Sequence, residues 1–122
     1  MEDCISSNTP TLARLRKEKG EKKTVLKICQ ELITLNEMLN LRRPMTENQI
    51  KFTAQMILDE FYNLNIADIT LVFRNILTGK CGSLYESLNT PKILTFFREY
   101  LNQRMTMGAE ISERKHQEHK QF

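Results

Sequence analysis

The chain has little of several residue types, and each shortage excludes something. Its three cysteines, at 4, 29 and 81, are odd in number, widely spaced and without a Cys-x-x-Cys pair. Neither a disulfide framework nor a zinc finger is indicated. Reduced thiols are expected instead, with Cys29 buried. Four glycines and three prolines form no Gly/Ser linker, and no unbroken apolar run approaches a membrane span of about 20 residues. The opening "MEDCISSNTP" lacks the basic-then-apolar order of a secretory signal. A cytoplasmic location with no membrane partner is therefore expected. No aromatic residue lies between positions 1 and 51, so nothing there can stack bases.

What is present suits one folded domain. The 122 residues are 40% hydrophobic and 27% charged, well away from the composition of disordered chains. A net charge of +3 conceals an asymmetry, because residues 14–27 hold seven Lys or Arg against two Glu. The window alone carries an excess of five positive charges, and the remaining residues are net negative. A local basic stripe is the usual footprint of phosphate binding, and also of a solvated or partner-facing helix.

The apolar spacing predicts helices throughout. Thr9-Pro10 reads as a cap followed by proline in the first turn, with Gly20 closing a short basic helix over 10–19. Val25, Ile28, Leu32, Leu35 and Leu39 then recur at threes and fours, predicting a helix over 21–41 that Pro44 terminates. Thr46 and Gln49 form a capping-box pattern for a helix over 47–64, and Asn65 caps a third helix that stops at Gly79. Thr90-Pro91 repeats the cap-plus-proline signal before an aromatic stripe over 91–106, with Gly108 placed to end it, although the good helix formers after Gly108 allow an extension as a solvated tail. The expected fold is all-α: a compact bundle of four main helices, preceded by the short basic helix. Its divisions are a polar lead (1–8), one helical domain (9–107) and a charged C-terminal tail (108–122).

Catalytic chemistry finds little support. In "LTGKCGSLYESLNTP" the lysine precedes the second glycine and no strand leads in, which departs from a phosphate-binding GxxxxGK[ST] loop. Cys81 has no histidine near it in sequence to act as a base, since His116 and His119 lie in the polar tail. Those histidines share a helical face with Glu113, a thin basis for a metal site. Asp59 and Glu60 are adjacent and diverge on a helix, and Asp68 stands alone at a helix start. No enzyme activity, cofactor or metal is expected.

"TENQIKFTAQMILDEF" and "ADITLVFRNILTGKCGSLYESLNTPKILTFFREY" resemble a family of short all-helical bacterial proteins carried by phages and mobile elements. The resemblance spans residues 46–104, and its most specific element is G-K-x-G-x-L-Y, met by Gly79, Lys80, Gly82, Leu84 and Tyr85. Cys81 stands where the family pattern has an aromatic residue, which argues further against a catalytic cysteine. The resemblance implies an accessory protein in nucleic-acid transactions of mobile DNA and supplies no enzymatic activity. The expectation is thus a non-enzymatic adaptor with Arg14, Arg16, Lys17, Lys19, Lys22 and Lys23 on phosphates, and Lys80 and Tyr85 presented to DNA or protein. The rival is a protein-binding module or inhibitor using its helical faces, alone or as a homodimer. Phe52 and Tyr62, off the main apolar stripes, are candidates for its contact patch.

Overall fold

All but one of the helices here begin where a side chain accepts one of the first-turn amides that lack an intrahelical partner. In the computed structural model, which describes residues 9–80 and 88–120, there are five. They are α1 (Leu12–Lys19), α2 (Glu21–Leu39), α3 (Glu47–Glu60), α4 (Ile66–Leu77) and α5 (Thr90–Lys120). The described residues contain no strand, and Thr11 and Asn65 form an isolated antiparallel bridge. No helix among them is long and apolar enough to cross a membrane.

Two caps match the sequence reading. Thr46 and Gln49 make a reciprocal box, with Gln49 N donating to Thr46 Oγ1 at 3.2 Å and Thr46 N to Gln49 Oε1 at 2.9 Å. Asn65 and Asp68 do the same for α4. Two others differ by short shifts along the chain. Thr11, not Thr9, caps α1, because Thr11 is extended and its hydroxyl accepts from Arg14 N. Asn89, not Thr90, accepts from Lys92 N at 3.0 Å, which frees the Thr90 hydroxyl to bond Thr53 on α3 at 2.7 Å.

Helix ends also correct the expected boundaries. α2 stops at Leu39 because Asn40 turns left-handed, at φ 46°, a conformation asparagine tolerates. Asn36 then pins the following loop, bonding the backbone N–H and C=O of Met45 through its own amide. α3 ends at Glu60 rather than 64, yet Phe61 and Leu64 remain fully buried in the connecting turn. Periodicity carried through that turn because its side chains also face the core. At the other end, α5 runs through Gly108 to Lys120, so the backbone of the expected tail is helical to that point. Glycine inside a helix costs only about 1 kcal/mol, too little to stop one with good helix formers on both sides.

α2 packs against α1, α3 and α4, while α5 covers α3 and α4. Their apolar faces meet in one core containing Leu12, Ile28, Leu32, Ile57, Ile69 and Ile93. Phe97 joins the halves: its ring lies 5.2 Å from that of Phe61, tilted by 32°, and meets Phe73 edge-on at 5.8 Å. Cys29 is buried as expected, and that burial pushes its thiol pKa up against the opposing pull of the Lys51 charge. Outside the core, Arg98 on α5 forks onto both carboxylate oxygens of Glu60 on α3 at 2.7 and 3.1 Å.

Candidate nucleic-acid interface

The short helix α1 carries few apolar residues, so its order depends on tertiary contacts. Leu12 supplies the main one, being fully buried. Backbone bonds supply the rest: Leu12 N donates to Leu64 C=O at 2.7 Å and Ala13 N to Tyr62 C=O at 2.9 Å. Arg14 N and Leu15 N are taken by the side chain and carbonyl of Thr11. The N-terminus of α1 is thereby filled by protein acceptors, and the helix is held against the body.

Gly20 decides where those charges go. Its φ of 92° and ψ of 156° place it in a region open essentially to glycine alone. It closes α1 by donating to Arg16 C=O at 3.0 Å and opens α2 by accepting at its carbonyl from Thr24 N and Thr24 Oγ1. One residue therefore serves both helices and sets the bend between them. In the sequence, Gly20 interrupts the helical phase between the cations before it and Lys22 and Lys23. The bend instead brings Lys19 of α1 and Lys23 and Lys27 of α2 to one groove of about 460 Å³, bordered also by Leu15, Leu26 and Ile66.

The remaining cations spread around this elbow. Lys17 and Lys22 are exposed, Arg16 is half-buried, and Arg14 is engaged by Glu18 at 2.8 Å. Lys27 lies 3.7 Å from Glu31. Among the described residues, Lys17, Lys19, Lys22 and Lys23 are in no ion pair. The first turn of α2 has no side-chain cap and carries the Glu21 carboxylate, which offsets the positive amide end beside Lys22 and Lys23.

Lys80 is not part of this surface. It follows the last turn of α4, behind Gly79 in left-handed geometry at φ 81°, and its amide donates to Asn75 C=O at 3.0 Å. Ile66, at the groove, is the first residue of α4, and a helix of that length spans about 18 Å. Lys80 instead borders a separate recess of about 270 Å³ with Asn75, Glu99, Tyr100 and Gln103. Tyr85 and Cys81, and the side chains of Glu113, His116 and His119, lie outside the described residues. Among the described residues no three of His, Cys, Asp and Glu come together.

The sequence reading left Asp68 isolated, but it joins a buried hydrogen-bonded cluster. Its side chain is fully buried and accepts from the Tyr100 hydroxyl, from Arg104 Nε at 3.0 Å and from Asn65 N at 2.9 Å. Its amide in turn donates to Asn65 Oδ1 at 2.9 Å. The carboxylate thus caps α4 and ties it to α5. Tyr100 and Arg104 stand one turn apart, which is the only local hint of a shared partner. With both Asp68 oxygens engaged by the protein, the cluster clamps α4 to α5.

Comparison with protein-family models, curated proteins and solved structures finds no match for this chain. The geometry of the elbow therefore carries the functional argument.

Proposed function

We propose that this protein is a non-enzymatic nucleic-acid accessory or adaptor of phage or mobile DNA that holds the phosphate backbone at the α1–α2 elbow. On this reading α1 is a basic N-terminal arm mounted on a body of four longer helices. The observation that carries it is the convergence of Lys19, Lys23 and Lys27 on one groove, with Lys17 and Lys22 exposed beside it. Phosphate tracking needs charge density more than fixed geometry, and each neutralised phosphate releases a counterion. The aliphatic surroundings contain no ring for base stacking, which favours backbone contact over base-by-base recognition.

Fluorescence anisotropy with mixed-sequence DNA and RNA tests the reading. Affinity is expected in the range of about 10⁻⁴ to 10⁻⁶ M, falling with salt at a logarithmic slope of about −0.9 per duplex phosphate neutralised. Joint reversal of Lys19, Lys22 and Lys23 to Glu is expected to abolish it. Salt-independent binding, or binding unchanged by that reversal, refutes the proposal.

A second reading, a protein-binding module or inhibitor working alone or as a homodimer, is favoured by Phe52 and Tyr62, which are 57% and 53% exposed. Exposed aromatics are the side chains from which interface anchors are drawn. Lys80 and Tyr85 are the further contact residues of this reading. Pull-down of a specific protein, lost on changing Tyr62 or Lys80, tests it.

A further inference from the structure

We propose that the groove between α1 and α2 is also a docking site for an acidic amphipathic helix of a partner protein. Its apolar part is aliphatic, formed largely by Leu15, Leu26 and Ile66, and its charged lining is Lys19, Lys23 and Lys27, with no carboxylate. Leu26 is 58% exposed although it borders an apolar surface. Each alternative occupant satisfies only half of this lining. A nucleic-acid strand meets the ammonium groups but gains little from a floor without aromatic rings. A wholly apolar segment would cover Leu26 while removing three ammonium groups from water without compensation.

An amphipathic helix with carboxylates flanking its apolar stripe serves both. Lys23 and Lys27 lie one turn apart on α2, so carboxylates one turn apart on a helix laid alongside match them at about 5–6 Å. Lys27 already has Glu31 at 3.7 Å, which leaves Lys19 and Lys23 as the principal anchors. Those two are shared with the nucleic-acid surface, so an acidic helix and a nucleic acid compete. The groove then acts as a point where a protein partner displaces the polyanion.

The probe is a fluorescein-labelled synthetic helix of about four turns, with leucines at threes and fours flanked by glutamates. One control replaces every Glu by Gln, and a second scrambles the order. Saturable binding is expected, weakened about tenfold or more by either control and about tenfold by Leu26→Ser. Circular dichroism of Leu26→Ser checks that its helices are intact. Joint Lys17→Glu and Lys22→Glu, outside the groove, is expected to weaken DNA binding and spare the peptide. No saturable peptide binding, equal binding of the scrambled peptide, or unchanged peptide affinity in Leu26→Ser overturns the docking proposal while DNA binding stands.

Discussion

Replacing Asp68 by asparagine keeps the shape of a fully buried side chain while removing its charge and one of its two acceptor oxygens. Three donors converge on that carboxylate: the Tyr100 hydroxyl, Arg104 Nε and Asn65 N. An amide can accept on one side only, so it turns its own N–H groups toward at least one donor. The Arg104 side chain, 21% exposed, loses the charge that balances it. Removing one partner of a buried pair costs about 3–5 kcal/mol, and the surviving amide oxygen places Asn near the lower end, at about 3 kcal/mol. For a domain of this size that lowers the melting temperature by roughly 12 °C and takes a large share of a typical total stability of about 5–15 kcal/mol. Urea titration followed by circular dichroism measures it, with the midpoint falling and the slope m unchanged. Arg104→Met alone leaves two donors on the carboxylate and is expected to cost less, about 2 kcal/mol. Because each single change strands the other partner, the double variant should lose about 1–2 kcal/mol less than the two losses combined. Additivity within about 0.5 kcal/mol, or an unchanged midpoint for Asp68→Asn, would refute the clamp.

Gly20→Ala tests the elbow: an added Cβ meets nothing within 4 Å, so the cost is conformational, about 1–3 kcal/mol, and thermal melting measures it. A weaker DNA affinity in the same variant is expected, because the bend that gathers Lys19 and Lys23 is disturbed. Leu12→Ala empties a fully buried position and is expected to cost about 2–5 kcal/mol, with hydrogen exchange at the Leu12 and Ala13 amides rising most. For Cys29, a raised folded pKa means that its stability contribution is complete at neutral pH and declines once pH rises through the ordinary thiol range toward the folded value. In a Cys4→Ser, Cys81→Ser background, thiol labelling at neutral pH should be slow in buffer and fast in urea. Cys29→Val should remove the thiol's part of the alkaline loss of stability.

The helices and several of their ends were legible because they depend on neighbours. Thr46 with Gln49, and Asn65 before Ile66, are sequence signals whose partners lie within three residues. Where competing caps stood close together, at Thr9 and Thr11 or at Asn89 and Thr90, local pattern could not choose between them. The choice went to Thr11 where α1 donates to the 62–64 turn, and to Asn89 where Thr90 is drawn to Thr53. Gly108 shows the opposite case, a local stop signal too weak to end a helix with good formers on both sides.

By itself the amino-acid sequence determined an all-helical chain, the buried faces of its helices, and a basic window confined to residues 14–27. These properties repeat within a turn or two of backbone, so short-range spacing records them. Tertiary structure alone decided that Asp68 meets Tyr100 and Arg104, partners 32 and 36 residues away, and that Lys80 stands apart from the basic window. It also decided that Lys19, Lys23 and Lys27 share a groove across the break at Gly20. Such meetings depend on the angle at which one helix leaves another and on which core faces seat together, and neither is recorded in the spacing of residues along a single helix.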